Sequence, residues 1–165
     1  MQKLLLFLAF ITLGLGCKDE GESTGTVEGK TVFFTFQDMP EAQTINPKAQ
    51  EILTDWQEFQ DFESSFQVLY RANNNEDLAL AIDDLLNKEK AMVEGEYPET
   101  FDNAQIKSRQ RVVRTFLLNV KASIIEQTDV DEPMRKMLLA NNALRSQFNI
   151  MVNSKLDINL ILNEK

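Results

Sequence analysis

From position 46 onward, apolar residues recur at intervals of three and four, and this spacing predicts four amphipathic helices. The first opens with Asn46 as N-cap and Pro47 in the first turn, and runs to about Ala72. It sets Ile52, Trp56, Phe59, Phe62, Phe66, Leu69 and Tyr70 on one broad face. The second begins in the Asn73-Asn74-Asn75 cluster, carries Leu78, Ile82, Leu85, Leu86 and Val93, and stops by Gly95. The third spans about Asp102 to Gln127 with Ile106, Val113, Phe116, Leu117, Val120 and Ile124 on its stripe. The fourth follows Asp131 and Pro133, with Met134, Met137, Leu144, Phe148, Met151, Ile158 and Leu162. Asn141 and Lys155 interrupt that last seam and place an expected break near Asn153-Ser154. Each stripe must be covered by apolar partners, so the expected fold is all-α, an antiparallel four-helix bundle over residues 47–165.

Punctuation along the chain supports this division. Between Thr31 and Lys165 the only glycine is Gly95, which suits long helices with few special turns. Residues 18–30 (KDEGESTGTVEGK) hold three of the six glycines among Ser, Thr and charged residues, and read as a flexible tether. Residues 31–46 form an extended connection to the helical domain. Within it, Val32-Phe33-Phe34-Thr35-Phe36 is aromatic and β-prone, and reads as a short strand or extended segment lying across the bundle. Its Phe33, Phe34 and Phe36 either pack into a groove between helices or form a docking site for a protein partner.

The N-terminus has the organisation of an exported chain. Lys3 supplies a positive n-region and Leu4 to Leu15 a 12-residue apolar h-region, short of the roughly 20 apolar residues that span a bilayer. Gly16 and then the lone cysteine, Cys17, follow. This stretch resembles the lipobox signal of bacterial lipoproteins, although Gly14 and Leu15 stand where the family favours Leu and a small residue. The resemblance implies a signal peptide over residues 1–16, cleavage before Cys17, a diacylglyceryl group on its thiol and an acyl chain such as palmitate on its amine. Lys18-Asp19-Glu20 resembles the export signal of Bacteroidota surface lipoproteins. It implies a lipid-anchored protein of the outer membrane facing the cell surface, with a periplasm-facing orientation as the alternative. Neither resemblance extends beyond residue 20.

Composition then narrows the chemistry. The chain has no His and one Cys, which removes Ser-His-Asp and Cys-His triads and His-containing zinc or di-iron sites. A net charge of −9 lacks the electrostatic footprint of a nucleic-acid binder. No cofactor motif appears, and a non-enzymatic binding, adaptor or structural role is expected.

Charge is unevenly spread. Residues 47–104 carry 14 acidic and 4 basic side chains, and residues 103–145 carry 4 acidic and 8 basic. Lys107, Arg109, Arg111 and Arg114 on the third predicted helix therefore have two readings. They pair within the molecule with Glu51, Asp55, Glu58 or Glu63, or they bind an anion, a sugar acid or a lipopolysaccharide phosphate, assisted by Tyr97 and Phe101. Arg109 falls on the Ile106/Val113/Phe116 stripe, where a buried guanidinium requires a carboxylate partner. Glu94, Glu96, Glu99 and Asp102, like Asp129 to Glu132, lack the alternating spacing of a calcium loop. Both stretches read as solvated loops and helix N-terminal acids, so no metal site is expected.

Overall fold

The structure is a computed structural model that describes residues 34–162. The expected signal peptide, Cys17, Lys18, Asp19, Glu20, the expected tether, Val32 and Phe33 lie outside the described residues, as do the side chains of Ile158 and Leu162. Among the described residues there are five α-helices and no strand: α1 Pro47–Thr54, α2 Gln57–Leu69, α3 Asn75–Glu94, α4 Ala104–Ile125 and α5 Asp131–Leu162.

Asparagine side chains begin three of these helices. Asn46 Oδ1 accepts from the Ala49 N–H at 2.8 Å, Asn74 Oδ1 from Asp77 at 2.7 Å and Asn103 Oδ1 from Ile106 at 3.0 Å. Each satisfies one N–H that the helix itself leaves open.

Two helix boundaries differ from expectation. The predicted first helix is broken at Asp55-Trp56, because Trp56 leaves helical geometry (φ −96°, ψ 93°) to turn its ring inward, where it is 3% exposed. The Leu53 carbonyl at the end of α1 is answered by the Trp56 N–H at 3.2 Å and the Gln60 side-chain amide at 2.8 Å, so the break does not strand this acceptor. The break expected near Asn153-Ser154 is absent. The Ser154 hydroxyl donates to the Ile150 carbonyl at 2.9 Å and stays within the helix, which continues to Leu162. The stripes are otherwise largely as read, except that Met92 (0% exposed) takes the inward position assigned to Val93 (52%).

Helix α2 packs on α3, α3 on α4 and α4 on α5, while α1 touches α2 and α5. At one end of the core an aromatic knot joins them. Phe148 of α5 meets Phe101 at 4.7 Å, Phe59 at 5.3 Å and Trp56 at 6.4 Å between ring centroids. Trp56 in turn stacks on Phe59 at 5.9 Å and touches Tyr97 at 4.9 Å.

Residues 34–46 form an irregular strap rather than a strand. Phe34 is buried at 5% exposure and meets Phe36 edge-on at 4.7 Å, and Phe36 meets Tyr70 of the α2 C-cap at 5.1 Å. Farther along, α5 holds the strap by its main chain. Asn142 accepts from the Gln43 N–H and donates to the Glu41 carbonyl, each at 2.7 Å. Arg145 Nε donates to the Gln43 carbonyl at 2.6 Å. Asn149 accepts from the Asn46 N–H and donates to the Thr44 carbonyl, each at 2.8 Å. Asn142, Arg145 and Asn149 follow the helical period and share one face.

Truncation of the knot should be costly. Phe148→Ala is expected to lower stability by about 3–5 kcal/mol, whereas Leu139→Ala on the exposed side of α5 should change it by less than about 0.5 kcal/mol. Urea midpoints of the two variants measure the difference.

Candidate functional site

The kink between α1 and α2 brings two acidic stretches together. Glu51, Ile52, Asp55, Trp56, Gln57 and Glu58 on one side, and Glu96, Tyr97, Pro98 and Glu99 of the α3–α4 loop on the other, enclose an open cleft of about 700 Å³. Five of these ten lining residues are carboxylates and none is basic. The ends of α1 and α3, whose last turns contain no basic residue, add partial negative charge. The start of α2 opposes this, and Glu58 in its first turn answers it.

Gly95 leaves room for a close approach of the Glu58 carboxylate at the cleft edge. A Cβ there would lie 2.8 Å from Glu58 Oε1 and 3.1 Å from the Ala91 carbonyl oxygen. Trp56 forms part of the cleft wall, and its indole N–H, sealed from solvent, has no acceptor among the described residues. Such an unmet donor costs about 1–3 kcal/mol.

Tyr97 connects the cleft to the interior. Its hydroxyl donates to Gln110 Oε1 at 2.5 Å, and the Gln110 amide donates to the Glu89 carbonyl at 3.2 Å. The Glu89 carboxylate, wholly buried, accepts from Arg114 Nη1 at 2.6 Å through Oε2, while Oε1 has no partner among the described residues. Burial is the main cause that pushes the Tyr97 phenol above its ordinary value, and the charges of Glu89 and Asp102 act in the same direction. At the far end of α2, burial likewise raises the Tyr70 phenol of its C-cap.

The four basic candidates of α4 do not converge on one anion site. Lys107 is ion-paired with Asp102 and stands 4.9 Å from the Tyr97 ring centroid, and Arg114 is committed to Glu89. Arg111 is exposed on the same edge of the helix. Arg109 is exposed too, about 200° around the helix from Lys107, so it is not the buried ion-pair member expected from the stripe. Gln110, 1% exposed, holds the inward position next to it, and partly exposed Arg114 pairs with the buried carboxylate of Glu89.

Of the expected carboxylate partners, Glu63 pairs with Arg145 of α5, while Glu51, Asp55 and Glu58 line the cleft. Phe34 is a core residue and presents no exposed docking face, and Phe36 is half-buried. Phe101 is fully buried in the knot. Among the described residues no group of three or more His, Cys, Asp or Glu is placed to hold a metal ion. No helix among them is long and apolar enough to cross a membrane.

The cleft itself was not read from the sequence. Its signal was present in two pieces, the Asp55-Trp56 step with flanking Glu51 and Glu58, and Glu96-Tyr97-Pro98-Glu99, which only the kink unites. Comparison with protein-family models, curated proteins and solved structures gives no match for this chain.

Two measurements test this description. Arg114→Met should strand the Glu89 carboxylate and cost about 2 kcal/mol or more, less than a fully buried pair because the arginine is partly exposed. Arg109→Ala should cost less than about 0.5 kcal/mol in the same urea titration. Both tyrosines should ionise above the ordinary value of 10.0, followed by phenolate absorbance. Their raised folded values mean the unfolded chain loses these protons first. The associated stability is therefore intact below pH 10 and falls as pH rises from there through the folded values.

Proposed function

We propose that this chain is a non-enzymatic, lipid-anchored binding module of the outer membrane, an antiparallel helical bundle that presents its cleft to a partner at the cell envelope. The observation that carries the binding role is the cleft, a recess of about 700 Å³ with aromatic and carboxylate walls built on two helices and a short loop. Concave sites with a few placed polar groups are where folded domains hold ligands. Binding alone needs no acid, base or nucleophile, in keeping with a chain that contains no His.

Anchoring is supported by the sequence resemblance at Cys17. Acyl chains there, at about 0.8 kcal/mol per buried methylene, give stable attachment that an acidic domain does not achieve alone. Lys18-Asp19-Glu20 supports display at the cell surface.

Cell fractionation tests the anchor. The wild-type chain should remain with membranes after a high-salt wash, and Cys17→Ala should be released or retain its signal peptide. Membrane association of the variant after that wash would remove lipid as the anchor.

A further inference from the structure

We infer that the face of α5 carrying Asn142, Arg145 and Asn149 is a binding site for extended peptide main chain, distinct from the cleft. Residues 41–46 of the strap are its resident ligand, seated in cis and able to open from the bundle and be replaced.

The contacts repeat. The Asn142 side-chain amide accepts from the Gln43 N–H and donates to the Glu41 carbonyl, so its two bonds bracket Ala42. Asn149 brackets Ile45 in the same way, through the Asn46 N–H and the Thr44 carbonyl. The two asparagines stand seven residues apart on the helix, a rise of about 10.5 Å, and the bracketed residues stand three apart in the strap, which an extended chain spans in about 10 Å. Helix and strap are therefore in register. Arg145, between the asparagines, fills the interval with a bond to the Gln43 carbonyl.

All five bonds go to main-chain atoms. The side chains of Glu41, Ala42, Gln43 and Thr44 are exposed, and among the described residues their one hydrogen bond is internal, from Gln43 Nε2 to the Thr44 carbonyl at 3.4 Å. Every residue except proline offers the same N–H and carbonyl, so the ladder tolerates any other side chain over 41–44. Ile45 packs half-buried against the core. The ligand class is thus an extended segment with N–H groups at the positions of Gln43 and Asn46 and an apolar side chain at that of Ile45.

Exposure lets the resident ligand open. Four of the five bonds lie at exposed positions, whereas Leu144 and Phe148, on the inward side of the same helix, are fully buried. Segments held by solvent-exposed bonds open at lower cost than the core they lie on.

Amide hydrogen exchange on the full chain tests this opening. The Gln43 and Asn46 N–H groups should exchange together, with protection at least about a hundredfold below that of the Leu144 amide. Glu41→Ser, Ala42→Ser and Thr44→Ser together should leave both within about threefold, and Asn142→Leu should lower both by about tenfold. Replacement is tested by adding the acetylated and amidated peptide of residues 39–46 to the full chain bearing Gln43→Pro, which removes one N–H from the cis strap. The side-chain amide NMR signals of Asn142 and Asn149 should shift saturably. The same peptide with Glu41→Ser, Ala42→Ser and Thr44→Ser should bind equally, and one N-methylated at Gln43 about tenfold more weakly.

Protection of Gln43 and Asn46 equal to that of Leu144 overturns the separate opening. Lost protection or lost binding on serine substitution means that side chains are read, and overturns the main-chain site. No saturable shift in the Gln43→Pro chain, or equal binding of the N-methylated peptide, overturns the peptide site and leaves the strap a fixed part of the fold.

Discussion

Phe148 is the contact on which the arrangement of the described domain turns. It is the α5 residue that meets rings from three other places in the chain: Trp56 at the α1–α2 corner, Phe59 in α2 and Phe101 before α4. Edge-to-face and tilted ring contacts are directional as well as apolar, so they fix angles as well as distances. The corner at Asp55-Trp56 exists because the indole must reach this knot. The cleft exists because the corner turns Glu51, Asp55 and Glu58 towards the α3–α4 loop. Core packing and the candidate site are thus one construction.

A second, polar construction lies behind the cleft. Tyr97, Gln110, Glu89 and Arg114 form a chain of hydrogen bonds from the cleft wall across the α3–α4 contact. A wholly buried carboxylate is tolerated there because the guanidinium of Arg114 reaches it, and Gln110 fills an inward position that an apolar residue would otherwise take. Such a set has one geometry in which most of its members are satisfied, which ties the position of the Tyr97 ring to the packing of α3 on α4.

Whereas the Asn103 cap lies one residue past the expected start at Asp102, the helical class, the Asn46 cap and a helix start within the Asn73-Asn74-Asn75 cluster were legible in the sequence, because Asn46 and that cluster each stand before a run with clear helical spacing. The split of the first predicted helix was not. Trp56 fits the periodicity of an unbroken helix as well as the inward turn it makes, and only the Leu53 carbonyl's two new donors distinguish them. Periodicity alone turns Arg109 inward for a related reason. A spacing of three from Ile106 reaches Arg109 and a spacing of four reaches Gln110, and a helix of 3.6 residues per turn permits either until neighbouring packing decides. The cleft was illegible because its walls are separated by some forty residues and look, piece by piece, like solvated acidic surface.

The strap has a mechanical consequence. Tension on the chain upstream of Phe34 does not arrive first at the start of α1. It arrives at buried Phe34, then at the Asn142, Arg145 and Asn149 contacts that grip the strap's main chain, and only afterwards at the Asn46 cap. These five grips lie along one helix, so they share a load applied along the strap instead of failing singly as in a peeling geometry. Arg145, also paired with Glu63, passes part of that load to α2. A domain held by its N-terminal end would therefore yield at the strap before the corner beneath Trp56 is disturbed, and the cleft would keep its shape under drag.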